Sequence, residues 1–473
     1  MSNSSVQEVL DLVEGSLVVE NGKVKVVDPG RLQSTVHRLA DASALDSGTR
    51  QGYARYLVRA AAKEVGILPA SIHGLYIARG QGKVPTSFTV PAFNLRVLAF
   101  DAARAVFRVA NRMDAAAMIF EIARSEMGYT DQRPAEYATS ILAAAIAEGY
   151  RGPVFIQGDH FQVSPKRYAA DPQAEIEALK TLMRESVAAG FFNIDVDTST
   201  MVDLNKTTIP EQQALNTALS AMFTAYIRTI QPQNTTVSVG GEIGEVGGHN
   251  STEEELRGYL DRYRAELQKL DPRATGLSKI SIQTGTSHGG VVLPDGSIAK
   301  VSVDFDTMLR LSRVARDSYG LGGAVQHGAS TLPEEAFGKF VDAEACEVHL
   351  ATNFMNLFFD HIPAELREEM YAFLREKSAG ERKAGMTDEQ FYYKTRKNAV
   401  GPFKAQSWRL PAEVKAEIGR VWEAQFTQLF TLLGLKGTRK FVEAQVKPAA
   451  IQPDLKDYLG DAVEVEQTSD LAD

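Results

Sequence analysis

Eight histidines occur in this 473-residue chain, and four of them end or closely follow a short apolar run: His160, His288, His327 and His349. His249 lies in the loop just after another such run. Most of these residues sit in glycine-containing turns, namely Gly158-Asp-His160, Thr286-Ser-His288-Gly-Gly and Gln326-His327-Gly-Ala-Ser-Thr. A lone histidine is more often a hydrogen-bonded structural residue than a ligand. Several at converging strand ends point instead to a metal centre, because neutral imidazole is a common zinc ligand and a catalytic site needs three protein ligands and an open position. The glycines let a ligand or a phosphate approach the backbone closely. Carboxylates fall at the same level: Asp159, Asp195, Asp197 and Glu242. Such acids serve beside a cation as general bases, as orienters of the histidines or as further ligands. Asp197, just before Thr198-Ser-Thr, equally suits a helix cap.

Other chemistries lack their signatures. There is no G-x-x-x-x-G-K-[ST] loop, no G-x-G-x-x-G after a first strand and no H-E-x-x-H helix. An imine-forming enzyme needs a lysine inside its core, and the candidates, Lys279 and Lys300, read as strand-edge or loop-edge residues. The net charge of -9 argues against nucleic acid as a partner. The one cysteine, Cys346, permits neither an intrachain disulfide nor a cysteine zinc cage. The N-terminus has no signal-peptide pattern, and no stretch approaches the roughly 20 apolar residues of a membrane span. The expectation is a soluble, cytoplasmic protein without a membrane partner.

To converge, these residues need a scaffold that brings strand ends together. Eight candidate strands occur: Ser87–Asn94, Ala117–Ile122, Val154–His160, Phe192–Asp197, Thr236–Glu242, Lys279–Thr284, Gly323–His327 and Cys346–Leu350. Helical stretches lie between many of them, including Leu95–Asn111, Glu175–Ala188, Glu211–Ile230, Thr252–Leu270 and Asp306–Ser318. This alternation predicts an α/β fold, and eight units suggest a (β/α)8 TIM barrel, whose C-terminal strand ends meet on one face. An open doubly wound sheet is the other arrangement the pattern allows. The first 85 residues read as an N-terminal extension of small helices around a hairpin turning at Asn21-Gly22. Residues 86–358 form the barrel, and residues 359–473 read as a helical C-terminal extension with segments at Ala364–Glu376, Asp388–Asn398 and Pro411–Leu432.

From about Thr89 to Asn356 the chain resembles the class II, metal-dependent fructose-bisphosphate aldolases and their tagatose-bisphosphate relatives. The motifs that carry the likeness stand in the family's order: Val90-Pro-Ala-Phe-Asn94, Gly158-Asp-His160, Ile194-Asp-Val-Asp-Thr-Ser199, Gly241-Glu-Ile-Gly-Glu-Val-Gly-Gly248, Gly285-Thr-Ser-His-Gly289 and Gln326-His-Gly-Ala-Ser330. The resemblance implies that His160, His288 and His327 bind zinc, or another divalent ion such as cobalt or manganese. It places Glu242 and Asp197 at a secondary metal position or behind the ligands, and makes Asp159 the acid/base at the substrate hydroxyl. Asn94, Gly289, Ser330, His349 and Thr352 fall at substrate- and phosphate-binding positions. The family's last strand usually reads Asn-x-Asp-Thr, whereas this chain has His349-Leu-Ala-Thr352; its phosphate turn is His-Gly-Ala-Ser rather than His-Gly-Gly-Ser.

The resulting expectation is a lyase of carbohydrate metabolism, such as glycolysis, that cleaves a ketose bisphosphate, fructose 1,6-bisphosphate in the first instance. Its products are dihydroxyacetone phosphate and an aldehyde such as glyceraldehyde 3-phosphate. Such cleavage leaves negative charge on the ketone oxygen, which a divalent cation stabilises as a Lewis acid. A metal-dependent keto-sugar epimerase is the second reading, motivated by His249 and His349 as extra bases. A non-catalytic companion subunit of a tagatose-bisphosphate aldolase is the third. The family habit further implies a homodimer or homotetramer.

Overall fold

Alternation of side chains along a strand decides what this sheet encloses. The computed structural model describes residues 3–244, 249–285 and 302–459, with Leu293 and Leu471. Among these, β1 (Leu17–Glu20) and β2 (Lys23–Val26) form the hairpin, pairing Glu20 with Lys23 across Asn21-Gly22, both residues at positive φ as a tight turn demands. Strand β3 (Ile67–Ala70) belongs to the second sheet, as do β4 (Val90–Asn94), β5 (Ile119–Ala123), β6 (Gly152–Gln162) and β7 (Asn193–Asp197). The same sheet continues with β8 (Ser238–Glu242), β9 (Lys279–Ser281), β10 (Ala324–Gln326) and β11 (Glu347–Leu350). Strands β4 to β11 pair in parallel in chain order, and β11 returns to β4, which closes an eight-stranded barrel. The fold is the (β/α)8 TIM barrel, with helices between its strands and flanking them.

Two differences from the sequence reading have structural causes. The N-terminal segment is not only helices and a hairpin: β3 runs parallel to the first half of β6, pairing Ile67 with Gly152 and Ala70 with Phe155, while the second half of β6 pairs with β7. Asn193 fixes this seam, donating from Nδ2 to the carbonyls of Ala70 (3.1 Å) and Ile156 (3.0 Å) and accepting from the Ile72 amide (2.8 Å). The helix Pro134–Ala147 also escapes sequence reading, because its residues are buried almost all round and show no one-sided periodicity. On the far side, Phe93 points out of β4 against Phe426 and Phe430 of the helix Ala412–Leu432, with ring centroids 5.0 and 6.2 Å away.

The barrel interior is the larger surprise. Such interiors are normally filled by layers of branched apolar side chains. Here the inward positions of six of the eight strands, β5 to β9 and β11, are Glu121, Gln157, Asp195, Gly240, Lys279 and Glu347, and all the side chains among them are buried. Lys279 is therefore not the strand-edge residue that the sequence suggests. Its ammonium donates to Gln157 Oε1 and Asp195 Oδ2, both at 2.9 Å, and to Glu347 Oε1. Glu347 also accepts from the Tyr76 hydroxyl, which reaches in from the helix His73–Gly80. Gly240 leaves room for this pair, since a Cβ there would lie 2.2 Å from Asp195 Oδ1 and 2.8 Å from Lys279 Cε. Burial opposes the charge on Lys279, but Asp195 and Glu347 hold it protonated, and Lys279 holds the Glu347 carboxyl down at about 2 against burial.

Removing one partner of a buried ion pair strands the other charge, at a cost of about 3–5 kcal/mol. Lys279→Met is expected to lose about that much unfolding free energy in chemical denaturation, whereas Lys377→Met, on an exposed helix end, leaves the denaturation midpoint essentially where it is.

Candidate metal centre

Adjacent residues of a regular strand face opposite sides of a sheet, so Asp159 and His160 cannot both reach the barrel mouth from an unbroken strand. Strand β6 solves this with a bulge: its pairing with β7 shifts register between Gly158 and Phe161, and His160 adopts a left-handed backbone with φ of 39°. The strand consequently runs on to Gln162, two residues past the predicted end at His160. Gly158 makes the bulge possible, because a Cβ there would lie 2.4 Å from the Phe161 ring.

Both side chains are then presented to one buried cluster. His160 Nδ1 lies 3.1 Å from Asp197 Oδ2 and 3.5 Å from Glu242 Oε2, and its Nε2 lies 3.8 Å from Asp159 Oδ1. Asp197 does two jobs. Its Oδ1 caps the turn at Ser199, accepting from the amide at 3.0 Å and the hydroxyl at 2.6 Å, while Oδ2 accepts from Gln162 at 2.7 Å and faces His160. His327 follows β10; its ring centroid lies 4.3 Å from that of His160 and 4.0 Å from that of His349, and its Nε2 bonds Ser281 Oγ at 2.9 Å. Asn94, at the end of β4, donates from Nδ2 to Asp159 Oδ2 (2.8 Å) and Glu126 Oε2 (2.9 Å). Glu126 is itself held by Arg96 at 2.5 Å and by the Ala123 amide at 2.9 Å.

His349 lies deeper than a substrate contact at the rim would, with 4% exposure. Its Nε2 faces Glu347 Oε1 at 2.7 Å, and its Nδ1 faces Glu121 Oε1 at 3.0 Å and Asp159 Oδ1 at 3.2 Å. Ser330 accepts from the Ala351 amide at 2.5 Å, and Thr352 opens the helix Thr352–His361, so both lie where β10 and β11 end. His249 does not join the cluster: its side chain is 56% exposed and faces Glu255 at 3.8 Å. His288, Gly289 and Lys300 lie outside the described residues.

The electrostatics are those of crowded acids. Burial and the neighbouring Asp159 push the Glu121 carboxyl up to about 8, and burial with Asp197 pushes Glu242 to about 8. Burial opposes ionisation of Asp159 too, yet His160 and His349 hold its carboxyl well below the usual range. A catalytic base must be ionised and within reach of a mobile proton; Asp159, like Asp197, is kept charged by imidazole, and unlike Asp197 it does not also cap a turn. Buried acids and imidazoles converging this way suit a divalent cation. One donor atom each from His160, Glu242 and His327 lie within 4.8 Å of one another, and so do those from Asp159, His327 and His349. Glu121, Asp195, Glu347 and His349 make a similar group, but the Lys279 ammonium already pairs with Asp195 and Glu347 there.

Sequence reasoning missed Glu121, Glu126, Gln157 and Glu347. The signal was available for two of them: in Gln157-x-Asp159 and Glu347-x-His349 the partner sits two residues from a chosen site residue, hence on the same strand face. Gly158→Ala, which forces the Phe161 ring against the bulge, is expected to weaken retention of a divalent cation by about 10- to 100-fold, as loss of ligand orientation does. Elemental analysis after dialysis at graded chelator concentrations measures this.

The Fructose-bisphosphate aldolase class-II family model matches residues 85–406. No curated protein is a significant sequence match. Among solved structures, a probable tagatose 6 phosphate kinase from Sinorhizobium meliloti 1021 superposes with a TM-score of 0.50 at 15% identity, over 79% of this chain and 97% of that one. The fructose-bisphosphate aldolase of Campylobacter jejuni gives a TM-score of 0.44 at 17% identity, over 79% and 96%. The YdjI aldolase of Escherichia coli K12 gives 0.46 at 12% identity, over 78% and 99%. The first of these likenesses agrees with the barrel fold, and the family match spans every barrel strand and the whole described cluster, so the chain belongs to the class II fructose-bisphosphate aldolase family.

Proposed function

We propose that this chain is a zinc-dependent class II aldolase that reversibly cleaves a ketose bisphosphate, with fructose 1,6-bisphosphate as the first substrate to try. The observation that carries this reading is the setting of Asp159, ionised, with one oxygen facing His160 and His349 and the other fixed by Asn94. When bound by His160, His327 and Glu242, with His288 as the family pattern implies, a divalent cation supplies Lewis-acid stabilisation of charge developing at a ketone oxygen. Asp159 takes the proton from the hydroxyl at the bond being broken and returns it in the condensation direction. Asn94 orients the carboxylate for that transfer, and Glu126 and Arg96 orient Asn94. Ser330, Gly289 and the amide end of the helix at Thr352 would hold a phosphate. Lys279 would take no part as an imine former, because its amine is kept protonated by two carboxylates.

His349, buried beside Asp159, is the observation that favours epimerisation as a second reading, since it could move a second proton without bond cleavage. His249, exposed and away from the cluster, lends that reading nothing. A companion subunit without activity would have no use for the oriented Asp159. No described helix is long and apolar enough to cross a membrane. A cytoplasmic homodimer or homotetramer is proposed with the enzyme, and light scattering tests the assembly.

The assay is incubation with zinc, cobalt or manganese and a panel of ketose mono- and bisphosphates. Release of a triose phosphate, abolished by a chelator, is the expected outcome. Asp159→Asn is expected to lower kcat by about 10²- to 10⁴-fold while retaining metal. Accumulation of a new hexose isomer without cleavage supports the epimerase, and turnover that survives the chelator overturns the metal-dependent reading.

A further inference from the structure

The last barrel strand departs from the family pattern at His349, where an asparagine is usual, and the structure gives that change a chemical consequence. An asparagine offers an amide oxygen, whereas an imidazole offers a nitrogen donor once its other nitrogen is tied down. Here the tie is Glu347, 2.7 Å from Nε2. A carboxylate on one ring nitrogen with the other turned toward an ion is the usual support of a metal-ligating histidine. His160 is supported in the same way by Asp197 at 3.1 Å. The other side of the His349 ring, at Nδ1, faces two carboxylate oxygens, Glu121 Oε1 at 3.0 Å and Asp159 Oδ1 at 3.2 Å, and its ring stands 4.0 Å from that of His327.

We propose that Asp159, His327 and His349 form an inner seat for a divalent cation, distinct from the outer seat of His160, Glu242 and His327, with the two seats competing for His327. The donor atoms of each set lie within 4.8 Å of one another, and His327 is the residue they share. All three inner donors are buried, at 4%, 7% and 4% exposure for Asp159, His327 and His349. Glu121, Asp159, Asp195 and Glu347 converge on this space; the Lys279 ammonium pairs with Asp195 and Glu347, whereas Glu121 and Asp159 face imidazole, at His349 and, for Asp159, also at His160. Buried carboxylates in such excess need protons or a cation, and a hard, divalent ion with mixed oxygen and nitrogen donors suits the set. The proposal rests on reading this mouth as a metal centre but not on the aldol reaction.

Cobalt titration of the full-length protein after chelator treatment tests it. The wild type is expected to take up one equivalent of Co²⁺, because His327 can serve one seat at a time. His160→Asn, which damages the outer seat, should still retain an equivalent, with a changed visible absorption. Adding His349→Asn to that variant should weaken retention by about 10- to 100-fold or more. Circular dichroism and melting curves check that the double variant folds. A readout that needs no second substitution is proton NMR of Co²⁺-loaded His160→Asn. The His349 Nε2 proton, shielded by Glu347, should give a hyperfine-shifted, slowly exchanging signal. Complete loss of cobalt from His160→Asn alone overturns the inner seat while leaving the outer one standing. Unchanged retention on adding His349→Asn, or absence of that signal, also overturns it. A wild type that takes up no divalent cation overturns the inner seat and the metal reading together.

Discussion

An ammonium group, that of Lys279, is buried inside this barrel away from bulk solvent, and the neighbouring strands are arranged to make that tolerable. At the 2.9 Å between Lys279 and Asp195 the attraction is about 6 kcal/mol at an effective dielectric near 20, enough to offset desolvation only if every remaining donor and acceptor is placed. The placement is visible. Asp195 comes from β7, Glu347 from β11 and Gln157 from β6; Tyr76 enters from the segment before the barrel, and Gly240 keeps its side of β8 empty. This layer is the floor of the mouth. Glu347, fixed by Lys279, fixes His349; His349 faces Asp159; Asp159 is held from the other side by Asn94. The Asp159 carboxylate is thus oriented by contacts that begin three side chains below it.

How much of this could be read from the chain differs from element to element. The eight barrel strands were legible because short apolar runs bounded by turn residues carry their own signal, and the Asn21-Gly22 hairpin because two positive-φ positions ask for those residues. Strand β3 was not, since Ile67-Leu-Pro-Ala is four residues long with a proline inside, and only its partner on β6 makes it a strand. Lys279 read as an edge residue because β9 is three residues long, and nothing local says that its first residue points at the axis. The bulge at His160 was illegible for a related reason: Gly158-Asp-His names the residues, but the register shift that turns two neighbours to one side is a property of the pairing with β7.

The site itself was legible as a set of residue types and not as a set of distances. His249 and His349 looked alike in sequence, each a histidine near the end of a predicted strand. The structure exposes one on a loop and buries the other among carboxylates. Burial and the charges of facing strands make the distinction, and those come from the closed sheet.

The seam at Asn193 bears on how such a chain comes together in time. Its side chain bonds Ala70 and Ile72, which are more than a hundred positions earlier in the chain, and β3 finds its partner only when β6 exists. A polypeptide emerging N-terminus first would present residues 67–72 long before anything can receive them. Contacts of such sequence separation slow folding, because the loop must be closed before the pairing rewards it. The helices around the early hairpin can form in the meantime, but the short strand beside them has to wait, so a segment made early is locked in place only after one made well over a hundred residues later.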